Sequence, residues 1–170
     1  MPLLRSSLRW LTALPLVLLL GCRMDAGEGS SGEPEAAAPK AANDHVIAVH
    51  PTAGEVSPLV RAEAQKASAA GRQLVVYVGA TWCEPCQRFH RAMEHGDLDS
   101  ALPKLTLLEF DTDLDGERLR QAGYTSKFIP LFALPNADGT ASDKRVEGGI
   151  KGDGAVSFVT NKLKGLLAQR

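Results

Sequence analysis

Short apolar runs and longer amphipathic segments follow one another over residues 57–168 of the 170-residue chain. Three apolar runs with polar or turn-forming neighbours are typical of buried strands, at residues 74–78, 105–110 and 128–134. The turn-forming sequence at residues 136–139 predicts a hairpin after the third run, and residues 145–147 then form its returning strand. The pattern therefore predicts four strands, of which the last two are antiparallel neighbours.

The intervening segments favour helices. The expected helices cover residues 57–70, 83–94, 117–122 and 154–168. For the first, Ser57 is expected to cap the helix, Pro58 suits its first turn, and Gly71 can end it. Residues 111–116 are expected to form a polar turn before the third helix.

This order of elements predicts the fold class. Strands that are joined through helices pair in parallel, whereas the late hairpin adds antiparallel strands. We therefore expect an α/β domain with a mixed four- or five-stranded sheet and helices on both faces.

The amino terminus has the pattern of a secretory signal. Residues 1–10 carry Arg5 and Arg9 but no acid, and an apolar run reaches Leu20, too short to span a bilayer comfortably. We expect a signal peptide at residues 1–21. Residues 19–22, Leu-Leu-Gly-Cys, resemble the bacterial lipobox, which implies that Cys22 is lipidated and anchors the protein in the cell envelope, facing the periplasm or exterior.

Composition separates a tether from a folded domain. Residues 22–44 are rich in Gly, Ala, Ser, Pro and Glu, which favours a flexible tether, and residues 45–170 suit one domain. The formal net charge of −1 gives no electrostatic reason to expect a nucleic-acid partner.

The chemistry of the domain centres on Cys83 and Cys86. Two cysteines at this spacing can close a small disulfide ring, and the pair follows a predicted strand and opens a predicted helix. A helix amino terminus stabilises a thiolate, so Cys83 is the expected nucleophile and Cys86 the resolving thiol. No cofactor is required beyond the redox-active disulfide.

These residues lie within a wider resemblance. Residues 75–86 (VVYVGATWCEPC), Phe128-Ile129-Pro130 and Gly148-Gly149 resemble the thioredoxin-like superfamily over about residues 58–169. Within it, the chain looks most like extracytoplasmic thiol–disulfide oxidoreductases of bacteria. The resemblance implies protein disulfides or thiols as substrates and an upstream redox partner.

The resemblance also assigns supporting roles. It implies a cis Pro130 that faces the cysteines and leaves the Ile129 backbone free to pair with substrate. Trp82 is expected to offer an apolar docking surface. Pro85 is typical of reductases, and the charge of Glu84 should oppose thiolate formation at Cys83. Together these two residues favour a reductant or electron carrier.

One position departs from the family. Thioredoxins usually carry a buried carboxylate six residues before the first cysteine, and this chain has Tyr77 there. A phenol is a poor base at neutral pH. The proton acceptor is therefore absent or supplied elsewhere, and Glu109 is the only other strand carboxylate we consider.

Three other interpretations remain open. Cys83, Cys86 and His90, with His95 nearby, could bind Cu(I) or Zn(II). Residues 111–116 match half of a calcium loop, but Ala122 stands where the loop needs a bidentate glutamate. The domain could also bind partners without turnover.

Overall fold

The computed structural model describes residues 44–51 and 53–169, so the predicted signal peptide, Cys22 and nearly all of the predicted tether lie outside the described residues. The described elements, in chain order, are β1 (Val46–Val49), α1 (Val56–Ala69), β2 (Gln73–Gly79), α2 (Glu84–His95), β3 (Leu105–Asp111), α3 (Thr112–Gln121), β4 (Leu131–Pro135), β5 (Ala141–Glu147) and α4 (Ala155–Leu167). None of the described helices is long and apolar enough to cross a membrane.

The strands form one mixed sheet in the order β1-β3-β2-β4-β5. The first three in this order are parallel, whereas β4 pairs antiparallel with both β2 and β5. The predicted α/β class and the late hairpin are confirmed, and the sheet has five strands.

Helices cover both faces of the sheet. Side chains along β2 alternate between faces. Val75 and Tyr77 belong to the core that includes Phe89 of α2 and Leu163 of α4. Val76, by contrast, belongs to the core that includes Val60 of α1 and Leu119 of α3. Full burial of one such apolar side chain contributes about 1.5–3 kcal/mol. The two cores fix the central strand, and β2 leads directly toward the cysteines.

Strand β1 was not predicted. It is a run of four residues that pairs with β3 at the sheet edge. Hydrogen bonds from Arg72 stabilise this edge of the sheet. Its guanidinium donates to the carbonyls of His45 (2.9 Å) and Leu105, and its Nε donates to Thr106 Oγ1 at 3.1 Å. The bonds join the residues that precede β1 and β2 to the first two residues of β3.

Several predicted boundaries were wrong. Strand β5 begins at Ala141, four residues before the predicted start at residue 145. Helix α1 begins at Val56 with Glu55 as its N-cap, so Ser57 lies inside the first turn and does not cap it. Strand β4 begins at Leu131, so residues 128–130 precede the strand.

A further correction concerns the predicted polar turn before the third helix, because residues 112–116 are helical. Asp111 caps α3 by accepting from the backbone N–H groups of Asp113 (2.8 Å) and Leu114 (3.3 Å). Asp115 accepts from the Asp111 N–H at 2.9 Å in return. This reciprocal capping starts the helix earlier than its polar sequence indicates.

Candidate active site

The two cysteines lie where β2 passes into α2. Cys83 is the N-cap of α2, and the Cys86 backbone N–H donates to Cys83 Sγ at 3.3 Å. The residues are joined by a disulfide and are almost fully buried. The first-turn amides and the helix dipole would stabilise a Cys83 thiolate once the disulfide opens. The structure thus gives Cys83 the environment expected of the nucleophile.

Pro130 lies against the same helix terminus. The Ile129–Pro130 peptide bond is cis, as expected from the resemblance. Gly149 lies between this loop and α2, because a Cβ there would stand 2.8 Å from Pro85 Cβ and 3.4 Å from Pro130 Cδ. Only glycine therefore lets the two prolines approach. Ile129 lies outside the β2–β4 ladder, which begins at Leu131.

Large apolar side chains are exposed near this loop. Trp82 is 65% exposed, and Phe128, two residues before Pro130, is 66% exposed. The Trp82 indole N–H donates to Asp113 Oδ2 of α3 at 2.7 Å, which fixes the ring at the surface. Trp82 is therefore accessible to a partner, and its docking role stays a prediction.

Glu84 has a partner that the sequence analysis missed. Its carboxylate forms an ion pair with Arg88, one turn along α2, and accepts from the Gly152 N–H at 3.2 Å. The bond from Arg88 is the main cause that lowers the pKa of Glu84. The spacing of four residues could have indicated this pair. Because Arg88 offsets the negative charge, Glu84 opposes a Cys83 thiolate less than its sequence position implies.

Tyr77 occupies the position where the family carries a carboxylate. Its side chain is buried between Phe89 and Phe132, with ring centroids 6.4 Å and 5.1 Å away. Desolvation is the main cause that raises the pKa of Tyr77 well above its ordinary value, followed by the charges of Glu109 and Asp111. Tyr77 is therefore a neutral phenol at physiological pH and does not replace the missing carboxylate as a base.

A carboxylate does lie beside Tyr77, on the neighbouring strand. Glu109 of β3 is the register partner of Tyr77 and is only 6% exposed. Its Oε1 lies 3.4 Å from His90 Nε2, and its Oε2 lies 3.7 Å from His50 Nδ1. Burial is the main cause that raises the pKa of Glu109 to about 8. His50 follows β1, which the sequence pattern did not reveal, so its contact with Glu109 was missed.

Comparisons with known proteins add a likeness of fold. No protein-family model matches the chain, and no curated protein matches it. Among solved structures, a mutant thioredoxin from Halobacterium salinarum is 19% identical, covering 75% of this chain and 91% of its own, with a TM-score of 0.43. Trichomonas vaginalis thioredoxin is 19% identical over 75% of this chain and 99% of its own (TM-score 0.46). StoA from Bacillus subtilis is 13% identical over 57% and 83% (TM-score 0.32). At these values the functional assignment rests on the site itself.

The metal alternatives gain no support from the described residues. Cys83 and Cys86 are bonded to each other, and His90 lies against Glu109. Within residues 44–51 and 53–169, no group of three or more His, Cys, Asp or Glu side chains is arranged to hold a metal ion. The calcium-loop interpretation is wrong, because Asp111 and Asp115 cap α3 and Ala122 is the C-cap of that helix.

Proposed function

We propose that this chain is an extracytoplasmic, lipid-anchored thiol–disulfide oxidoreductase of the thioredoxin-like superfamily. Its reaction uses the Cys83–Cys86 couple. The observation that carries the proposal is the buried disulfide at the N-cap of α2, with Pro130 close to the same helix terminus. A buried disulfide with a purely structural role would need neither a helix amino terminus nor the exposed apolar rim formed by Trp82 and Phe128.

The reaction exchanges one disulfide for another. In the dithiol form, the Cys83 thiolate attacks a substrate disulfide, and one substrate sulfur leaves with the electron pair of the broken bond. Cys86 then attacks Cys83 Sγ, which restores the protein disulfide and releases the second substrate sulfur as a thiolate. Two electrons pass to the substrate, and the two thiolates that leave take up protons.

Two features support a protein as the substrate. Trp82 and Phe128 expose apolar surface beside the site, and Ile129 lies outside the sheet ladder. An extended substrate segment can pair with the Ile129 backbone while its side chains contact the apolar rim. A small thiol would use neither feature.

The proposed direction is that of a reductant or electron carrier. Pro85 supports this direction through the family resemblance, whereas the charge of Glu84 is largely offset by Arg88. The Cys83–Cys86 reduction potential is the direct test. A value as oxidising as about −120 mV, typical of a strong oxidant, would contradict a reductant.

The test of the activity is reduction of insulin disulfides, with dithiothreitol as electron donor. We expect wild type to accelerate the reaction and Cys83→Ser to abolish the acceleration, because the attacking thiolate is lost. Cys22→Ser is the matched control, since it removes a cysteine that plays no part in the exchange. Equal rates for wild type and Cys83→Ser would refute the proposal.

The proposed location rests on the sequence of residues 1–22. A basic segment, a short apolar run and Cys22 support export followed by lipidation. We expect wild type in the membrane fraction of a bacterial host and Cys22→Ser in the soluble envelope fraction. Retention of both proteins in the cytoplasm would contradict the proposed location.

A further inference from the structure

The position of Glu109 relative to Cys86 extends the proposed function. Cys86 and His90 are four residues apart on α2, so their side chains share one face of the helix. His90 lies 3.4 Å from Glu109, so the carboxyl group is packed against the helix face that carries Cys86. Both residues, together with Tyr77 and His50, line one cavity of about 590 Å³.

The cavity also links Glu109 to solvent. The His50 side chain is 78% exposed and lies at ion-pair distance from Glu109. His90 is 30% exposed and contacts the other carboxyl oxygen. Each carboxyl oxygen of the buried Glu109 thus lies within 4 Å of an imidazole that reaches solvent. Cys83, by contrast, is not among the described residues that line this cavity.

The exchange reaction needs a proton carrier at Cys86. Its thiol must lose a proton before it attacks Cys83, and its thiolate must gain one when the disulfide is reopened. Cys86 is 2% exposed, so direct proton exchange between its thiol and bulk water is restricted. Tyr77, the neighbour on β2, holds its proton too firmly because burial raises the pKa of its phenol.

We propose that Glu109 is the proton acceptor and donor for Cys86, and that His50 and His90 pass the proton between Glu109 and solvent. The inference rests on the proposed function. During oxidation of the dithiol, the Cys86 proton moves to the Glu109 carboxylate, and the Cys86 thiolate attacks Cys83 Sγ. The Cys83–substrate bond breaks, and the substrate thiolate leaves with the electron pair. During reduction, protonated Glu109 returns a proton to Cys86.

The acidity of Glu109 suits this exchange. Burial raises the pKa of Glu109 to about 8, which brings its proton affinity nearer to that of a thiol than the affinity of an exposed carboxylate is, so the transfer costs less free energy. Several charged or titratable groups face this cavity. They are His90, Arg91 and Glu94 of α2, His50 after β1, Tyr77 of β2, Asp111 of β3, and Asp115 and Arg118 of α3. Of these, Glu94 is the one whose charge raises the pKa of Glu109.

The test measures reduction of the Cys83–Cys86 disulfide by dithiothreitol between pH 6 and 10. The full chain is used, and alkylation followed by mass spectrometry reports the reduced fraction. The acidity of dithiothreitol affects every variant equally, so the ratio of wild-type to Glu109→Gln rates isolates Glu109. Below pH 8 we expect wild type to be faster by about a hundredfold, the lower end for a positioned general acid. Above pH 8 the ratio should fall toward one, because Glu109 no longer carries a proton to donate.

Glu94→Gln is the second variant. Removing the Glu94 charge lowers the pKa of Glu109. The rate of Glu94→Gln relative to that of Glu109→Gln should therefore begin to fall at a lower pH than the wild-type ratio does. The size of this ratio at low pH should be preserved. A ratio that stays near one, or one that is constant across the pH range, would overturn the proposal, since a structural effect has no reason to follow the Glu109 proton. If Glu109→Gln did not fold, an unshifted Glu94→Gln profile would overturn it equally. Insulin reduction is not part of this measurement, so failure of the proposed function would be seen separately.

Discussion

At the scale of single residues, the charge beside the nucleophile is balanced by its own helix. Glu84 and Arg88 lie one turn apart and form an ion pair, and Arg88 Nη1 also lies 3.2 Å from Asp153 Oδ1. Glu84 is held further by the Gly152 N–H. The pair therefore joins the amino-terminal turn of α2 to the segment before α4. Its second effect is to limit the field that Glu84 exerts on Cys83.

Replacing Arg88 should increase the effect of the Glu84 charge on Cys83. We expect Arg88→Gln to raise the pKa of the Cys83 thiol by about 0.5 or more, because the nearby carboxylate loses its compensating charge. The pH dependence of Cys83 alkylation in the reduced protein measures this value. The double variant Glu84→Gln/Arg88→Gln should return the Cys83 pKa close to that of wild type. A Cys83 pKa unaffected by Arg88→Gln would show that Glu84 does not act on the thiolate.

At the scale of elements, the edge strand β1 depends on a residue that lies outside it. Strand β1 has four residues, and within residues 44–51 and 53–169 it pairs with β3 alone. Arg72 donates to carbonyls on both sides of the β1–β3 junction as well as to the Thr106 hydroxyl. One guanidinium therefore ties the start of β2 to the starts of β3 and β1, the two strands that follow it on the parallel side of the sheet.

A lysine cannot reproduce this arrangement. Because an ammonium group lacks the planar fork of donors, we expect Arg72→Lys to lower the free energy of unfolding by about 2 kcal/mol. Urea unfolding of the oxidised protein measures the change. Arg120→Lys is the matched control, since Arg120 forms an exposed pair with Glu117, and this variant should change stability by less than about 0.5 kcal/mol. Equal losses in the two variants would contradict the role of Arg72.

Elements with strong local patterns could be predicted from the sequence. The apolar run of β2 and the cysteine motif after it, at the start of α2, agree with the structure. Strand β1 was missed because a four-residue apolar run carries little periodic information. The start of α3 was missed because a run of acidic residues is typical of a turn, and only the structure shows that Asp111 caps a helix there. The contact of His50 with Glu109 joins distant parts of the chain, so no local pattern reveals it.

At the scale of the whole molecule, burial of Glu109 makes stability depend on pH. Its carboxyl group has a pKa near 4.5 when exposed and about 8 in the folded protein. A raised pKa means that the folded state holds the proton more tightly than the unfolded state. The resulting stabilisation is complete below about pH 4.5 and is lost as the pH rises through about 8.

Glu109→Gln should remove this dependence, because an amide does not titrate. Between pH 5 and 8, we expect the Tm of oxidised wild type to fall by roughly 5 °C or more relative to that of the variant, and the difference to level off above pH 8. Calorimetry at a series of pH values measures both curves. A difference that is independent of pH would mean that Glu109 titrates normally.

The cavity that holds Glu109 gives protons a proposed route that differs from the place of electron transfer. Electrons cross at Cys83, beside exposed Trp82, whereas the proposed proton route reaches the surface at His50. A partner that covers Trp82 without covering His50 would leave the proposed proton route open to solvent. Turnover then does not require the complex to fall apart before protons equilibrate. Such a site suits a dedicated partner with a long-lived complex as well as it suits brief encounters with many substrates.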